Sequence, residues 1–241
     1  AANFGDSVSF NISGSRQARF LSVASMLICT NDGFAGFDRV RLPRFINDTV
    51  TYTGIGYDAG TEINTEDFAA IVPPCQGLIG VASDDAGTGM SNPDLAENGV
   101  IAVHPNVQGG NDLLTDVHGW ADPVIEITIK RVAPDSRYEV TIENLTGAQA
   151  FTPPVLVTHN QRTGIYNVGD VAGEGIREIA ENGNLAPLLD ALANDPLVFD
   201  VATGDAPLVP AGLPGSANFG DSVTLIIEST KPFRRLSFAS M

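Results

Sequence analysis

The amino-acid sequence predicts a mainly β fold, an antiparallel β-sandwich with two short helices. Apolar and polar residues alternate with a period of two in many short segments, which is typical of half-buried strands. Clusters of Gly, Pro, Asn and Asp separate those segments, and helical signals are brief. The chain of 241 residues is long enough to bury a sizeable core.

The alternating segments give the predicted strands in chain order. They are residues 7–12, 20–28, 40–42, 50–53, 123–132 and 138–145, followed by a strand pair within 217–241; residues 100–105 are a short apolar segment. Tight polar loops are predicted over 30–38 and 56–67, and a long loop over 73–99. The two helices are predicted at Glu174–Glu181, ended by Asn182-Gly183, and at Leu185–Ala193, ended by Asn194-Asp195-Pro196.

A 25-residue stretch occurs twice. Residues 2–26 recur at 217–241 with an offset of 215 and no gap; both copies contain ANFGDSV, and both close with Leu-Ser-x-Ala-Ser-Met. A second copy at a fixed period indicates a repeat architecture. The sequence therefore predicts a tandem or permuted repeat of about 215 residues, with one full period and the opening of the next.

The charge balance excludes two classes of partner. The net charge is −16, the isoelectric point is near 4.3, and the only lysines are Lys130 and Lys231. Such a surface repels nucleic acid and anionic membranes, and it suits the binding of hard cations through carboxylates. No apolar run approaches the roughly 20 residues that a membrane span needs, so none is expected.

Enzyme signatures are missing from the sequence. The histidines His104, His118 and His159 are too scattered to form a metal motif, and no serine lies in a Gly-x-Ser-x-Gly elbow. No phosphate-binding or dinucleotide-binding fingerprint occurs. We therefore expect a protein that is not an enzyme.

Several motifs, in order, resemble one family. In the second part of the chain they are YEVTI at 138–142, VTHN at 157–160, the segment 175–183 and LSFASM at 236–241. In the first part they are LSVASMLICTNDGFAG at 21–36, YDAGTE at 57–62, IAVHP at 101–105 and GGNDL at 109–113. This set resembles the spondin N-terminal domain family in its bacterial form. Gly33 departs from it, since the family often has an aromatic residue there.

The resemblance implies a β-sandwich similar to C2 domains, with a bound calcium ion, in an extracellular or cell-surface protein. The order of the motifs is rotated. Residues 1–136 resemble the C-terminal part of one such sandwich, and residues 137–241 resemble the N-terminal part of the next, or of the same domain in permuted order.

The resemblance also implies the calcium ligands. They are Asp32 and Asp58, at the matching family positions, together with an acidic residue on the preceding strand. Asp6, or its repeat partner Asp221, is the nearest acid to that third position, and Glu62 is a further candidate. Two or three carboxylates with backbone carbonyls suit calcium, whereas zinc prefers His or Cys. Alternatively, the two aspartates only cap their loops through Asx-turns.

Cys29 and Cys75 are the only cysteines, and their spacing alone does not decide between free thiols and a disulfide. Cys29 ends a long predicted strand, and Cys75 follows Pro73-Pro74, where the chain is expected to return past the same sheet end. Because the resembling family is exported, we expect the two cysteines to pair.

We expect a non-enzymatic, calcium-stabilised extracellular repeat domain, used as a structural surface fibre or filament subunit or for adhesion. Its expected partners are neighbouring copies of itself, joined head-to-tail by strand or half-domain complementation; alternatively the chain is a segment of a multidomain protein that forms no polymer. A second function is recognition of a glycan or protein, which predicts exposed aromatic residues among Phe34, Phe37 and Tyr57. A secreted hydrolase with a metal-assisted site ranks last, because it needs a concave pocket holding a base.

Overall fold

The computed structural model describes residues 8–13, 20–40, 42–73, 75, 77, 87, 90–134, 137–227 and 235–240. In these ranges the chain is mainly β, as predicted, and most strand pairs are antiparallel. The strands are β1 (Val8–Ser13), β2 (Phe20–Met26), β3 (Gly33–Val40), β4 (Thr49–Asp58), β5 (Ala102–Val103), β6 (Ile125–Arg131), β7 (Arg137–Asn144), β8 (Pro154–His159), β9 (Val198–Thr203), β10 (Ser222–Ile227) and β11 (Arg235–Ser240). The helices are α1 (Thr115–His118), α2 (Glu174–Asn182) and α3 (Ala186–Ala193).

Two sheets share β4. In the first sheet the first half of β4, Thr49–Gly54, pairs with β6, and β7, β10 and β1 follow. In the second sheet the last residues of β4 pair with β3 and β5, and β2, β11, β8 and β9 follow. Gly54 lies at the crossover, where an added Cβ would be 2.6 Å from the carbonyl oxygen of Gly36. The chain therefore needs a glycine at this corner.

The second sheet is covered on both faces. Along β8, Val155 and Val157 pack in a cluster with residues of α2 and α3, whereas Leu156 packs in a cluster with β6 and β7. Because successive side chains of a strand point to opposite faces, the first sheet lies against one face of the second and the helices lie against the other. This sandwich-like packing explains why β8 is buried at every position.

Both predicted half-domains contribute to this core. β6, from the first half, and β7, from the second, pair along their full length, with Ile127 opposite Ile142. Each of the two buried clusters contains residues from both sides of the junction near 135. The described parts of the two halves thus share one hydrophobic interior.

Some predicted boundaries were wrong. The tight polar loop predicted over 30–38 is shorter than expected, and the strand predicted at 40–42 overlaps the end of β3, because β3 already runs from Gly33 to Val40. The turn is tighter than expected: the Thr30 hydroxyl donates to the Leu27 carbonyl at 2.6 Å and accepts from the Gly33 amide at 2.8 Å. The strands β8 and β9 and the helix α1 were not predicted, whereas α2 and α3 are confirmed within about one residue at each end.

No helix within the described ranges combines the length and the apolar character that a membrane crossing requires.

Candidate functional site

The two acidic loops lie at the same end of the second sheet. β3 and β4 are antiparallel, and Gly33, the first residue of β3, is paired with Asp58, the last residue of β4. Asp32 precedes that pair directly, and its carbonyl accepts a hydrogen bond from the amide of Ala59 at 3.1 Å. Pairing of the two strands therefore brings together two carboxylates that are 26 positions apart in the sequence.

The Asp32 side chain is fully buried and reaches across to the second loop. Its Oδ2 accepts hydrogen bonds from the amides of Thr61 at 2.7 Å and Glu62 at 3.0 Å, and from the Thr61 hydroxyl at 3.1 Å. Its Oδ1 is also buried and has no hydrogen-bond partner among the described residues. Because these bonds join residues about 30 positions apart, Asp32 is not a local Asx cap.

Asp58 does form the local turn of the alternative interpretation. Its Oδ1 accepts from the amide of Gly60, two residues on, at 2.7 Å, and its Oδ2 accepts from the Asn64 side chain at 2.6 Å. Each oxygen of an ionised carboxylate has about two acceptor sites, so each Asp58 oxygen retains capacity for another partner. The turn and a metal-binding role are therefore compatible.

Glu62 is the third predicted residue at this end of the sheet. It is buried, and its Oε1 accepts from the amide of Asn92 at 2.8 Å. A β-bridge to Ala96 fixes its backbone against the segment 92–99. Its amide donates to Asp32, so two of the candidate residues are linked directly.

The electrostatics of these carboxylates are unfavourable when all are ionised. Burial, followed by the charge of Asp58, raises the pKa of Asp32 from 3.8 to about 7. Burial raises the pKa of Glu62 from 4.5 to about 7, and the charges of Glu181 and Asp32 add to that rise. Desolvated carboxylates that repel one another favour either protonation or a bound cation.

The third predicted ligand position, Asp6 or its repeat partner Asp221, is not shown to join the carboxylates of Asp32 and Asp58. Asp6 lies outside the described residues. Asp221 is buried just before β10. Within the described part of the chain, no group of three or more His, Cys, Asp or Glu side chains is arranged as a metal cluster.

Glu66 is a structural centre of the site that the sequence did not reveal. It is buried with a φ of 58°, a left-handed conformation that is uncommon for a residue with a side chain. Its carboxylate accepts from the amides of Gln108 and Gly110, and its carbonyl accepts from those of Asp112 and Leu113. Glu66 thereby fixes the segment 108–113 against the acidic loops.

His104 lies beside the carboxylates as a neutral ring. Its Nδ1 accepts from the amide of Asn106 at 2.9 Å, and the ring contacts Trp120 edge-on at 5.1 Å between centroids. Burial lowers its pKa to about 4, although the charges of Asp58 and Glu66 oppose that shift. His104 thus bonds to the backbone of its own loop.

Cys29 and Cys75 form a disulfide, with their Cα atoms 5.1 Å apart. The disulfide ties the turn that contains Asp32 to the chain that follows the acidic loops. Gln149 holds the same turn from the other side: its Oε1 accepts from the Cys29 amide at 2.8 Å, and its Nε2 donates to the His118 carbonyl at 2.6 Å. Gln149 is fully buried, and nothing in its sequence context indicated this role.

The aromatic residues near the loops are mostly internal. Phe34 and Phe37 are buried, and Tyr57 is half-buried. Phe34 contacts Tyr57 and Tyr166, with ring centroids 5.5 and 5.2 Å apart, inside the cluster that includes α2 and α3. These rings therefore pack the core beneath the loops.

Replacing Gly33 by Ala is expected to destabilise the protein by about 1–3 kcal/mol. An added Cβ would lie 2.5 Å from the Thr30 hydroxyl oxygen and 3.0 Å from the His104 ring. The same contacts explain why a residue with a side chain is absent from this position. Urea denaturation measures the effect, and Gly147→Ala is the matched control, because a Cβ at Gly147 meets nothing within 4 Å. Equal losses in the two variants would contradict this interpretation.

Comparison of the chain with protein-family models, with curated proteins and with solved structures found no match.

Proposed function

We propose that this chain is a non-enzymatic, calcium-stabilised extracellular repeat domain that serves as a structural surface unit or for adhesion. The observation that carries the proposal is the buried Asp32 carboxylate, whose Oδ1 has no hydrogen-bond partner among the described residues. A buried ionised oxygen without a partner is costly, and a bound cation would remove that cost.

Two neighbouring carboxylates offer part of the oxygen donor set that a hard cation needs. Asp32 and Asp58 lie on adjoining loops at one sheet end, and Glu62 is bonded to Asp32 through its amide. All three side chains offer oxygen ligands, which calcium prefers. His104, with its Nδ1 occupied and its pKa lowered by burial, is a neutral neighbour that adds no positive charge at pH 7. When bound, the ion would neutralise the carboxylates and hold the two loops together.

A surface groove lies near the site. It has a volume of about 590 Å³, and its lining includes Asn106, Gln108, Trp120 and Thr146 but no titratable side chain. The Asn106 and Gln108 side chains already bond to the backbone of their own loop and of Trp120.

The recognition alternative receives less support. It predicts exposed aromatic rings beside the acidic loops, and both Phe34 and Phe37 are buried in the core. We therefore propose a structural or adhesive unit ahead of a glycan-binding module.

Calcium is expected to raise the free energy of unfolding by about 2.7 kcal/mol at a free concentration 100 times its dissociation constant. For a chain of this length that corresponds to a rise of roughly 5–10 °C in the melting temperature. Thermal melts in calcium and in a chelator measure the difference, with magnesium as a second cation.

Two variants make the calcium test specific. The double variant Asp32→Ala, Asp58→Ala is expected to melt at the same temperature with and without calcium. Asp190→Ala, at an exposed position on α3, is expected to keep the full response. Identical melting of the wild type in calcium and in chelator would reject the proposal, as would a calcium response retained in the double variant.

A further inference from the structure

Two different strands pair with the same edge of β7. β6 pairs along β7 and occupies one of its two hydrogen-bonding edges, with Ile127 opposite Ile142. β1 and β10 both pair antiparallel with β7 as well, and Val8 and Val223 are both opposite Ile142. Since a strand has two edges, β1 and β10 share the edge that β6 leaves open.

The shared register follows from the repeat. β1 and β10 belong to the two copies of the 25-residue stretch, and they meet every β7 residue from Tyr138 to Ile142 at equivalent positions. They also pair with each other in parallel, with Asn11 opposite Ile226, which keeps the same offset of 215. The second strands of the copies, β2 and β11, lie side by side with that offset too, between β3 and β8.

One edge can satisfy only one strand. Each residue of β7 presents one backbone amide and one carbonyl, and along one edge these groups pair with a single neighbour. The chain therefore carries two equivalent strands for one acceptor edge. A chain that carries both copies already fills its own β7 edge. Head-to-tail exchange of strands among such chains therefore adds no backbone hydrogen bonds. Additional hydrogen bonds form only with an acceptor chain in which no copy of the repeated strand occupies the β7 edge.

We propose that the open edge of β7 is an acceptor site for the repeated strand, and that the surplus copy of one chain completes a second unit of the same kind whose β7 edge is empty. This inference rests on the proposed repeat function and names its partner. The interaction is β-strand addition, in which backbone hydrogen bonds supply affinity and the alternating side chains supply register. The donor is the copy that contains β10, because β2 runs directly into Cys29, which the disulfide fixes to Cys75.

Pairs of proline substitutions in both copies convert a chain that donates a strand into a chain that accepts one. Consecutive prolines at Ser9 and Phe10 disable β1, and consecutive prolines at Thr224 and Leu225 disable β10. Successive amides of a strand point to opposite edges, so each pair removes one amide that faces β7. In the variant with all four prolines, neither β1 nor β10 can pair, and the β7 edge is empty. Each variant with two prolines keeps one of these strands, which fills its own β7 edge.

The full chain is expected to form a 1:1 complex with the four-proline variant in sedimentation velocity, because only the full chain has a surplus copy. The two-proline variants are expected not to bind it, since their remaining strand fills their own edge. A peptide of residues 217–241 is expected to compete for the same edge. Equal binding by the full chain and the two-proline variants, or no binding by any of them, would overturn the proposal.

Disulfide trapping covers the case in which the four-proline variant does not fold. Ser9 and Thr224 are both opposite Thr141. The pairs Ser9→Cys with Thr141→Cys, and Thr224→Cys with Thr141→Cys, are both expected to cross-link within one otherwise unchanged chain. Absence of a cross-link between Thr224 and Thr141 would show that the donor copy does not pair with the β7 edge, and would overturn the inference. Calcium melts of the same chains test the proposed function separately, because they do not depend on which copy is paired.

Discussion

Replacing Asp32 by Asn is expected to stabilise the calcium-free protein by about 4 kcal/mol at pH 8 and to change its stability little at pH 4. Burial and the neighbouring Asp58 raise the pKa of Asp32 from 3.8 to about 7, so the folded chain binds this proton more tightly than the unfolded chain does. The stability that this group contributes is complete below pH 4, and it is lost as the pH rises through 7. Asn imitates the protonated acid at every pH.

The pH dependence of stability must be compared between the variant and the wild type, because His104 contributes a pH dependence of the opposite sign. Burial lowers the pKa of His104 from 6.5 to about 4. The neutral ring therefore contributes stability above pH 6.5, and this stability is lost as the pH falls towards 4. Both proteins contain His104, and the difference between them isolates Asp32. Denaturant unfolding in chelator at several pH values measures it. A difference that does not grow between pH 4 and pH 8 would contradict the assigned burial of the charge, and in calcium the variant is expected to be the less stable protein.

Replacing Cys29 and Cys75 together by Ala is expected to lower the free energy of unfolding by about 4 kcal/mol. The disulfide closes a loop over a sequence separation of 46 residues, and the chain-entropy model gives that magnitude for such a loop. In that model the effect is large because the closed loop is long, and the loop contains both acidic loops and the strands β3 and β4. Urea unfolding with and without a reducing agent measures it.

The reducing agent is the internal control for the cysteine variant. It is expected to move the wild-type midpoint towards that of the double-Ala variant and to leave the variant unchanged. Both cysteines are fully buried, so reduction is expected to require opening of the fold. A wild type whose unfolding does not respond to complete reduction would show that the bond contributes little to stability.

Local patterns predicted much of the architecture. The period-two pattern of β6 and β7 has one apolar face, which packs in the core between the sheets, and the ends of α2 and α3 follow from Asn-Gly and Asn-Asp-Pro. β8 was missed because it is buried on both faces and therefore has no alternation to detect. The early start of β3 was missed because the Gly and Asp residues of 30–38 suggested that the polar loop continued to residue 38, whereas the Thr30 side chain closes a shorter turn.

The site was predictable only in part, for a physical reason. Asp32 and Asp58 stand in recognisable loop contexts, and pairing of β3 with β4 brings those loops together. Glu66 and Gln149 act through hydrogen bonds to residues about 40 and 120 positions away, and such contacts leave no local signature in a sequence. The coupling of Glu62 to Glu181 likewise depends on how α2 packs beside the acidic loops.

The shared edge of β7 constrains how this sequence can diverge. A substitution in one copy of the repeated strand can be tolerated while the other copy keeps its match, and the copies have already separated at Ser9 and Thr224, at Phe10 and Leu225, and at Asn11 and Ile226. β7 has no such freedom, because each of its residues must remain compatible with two different strands. We therefore expect substitutions in β7 to be tolerated less well than substitutions in either of its two alternative neighbours.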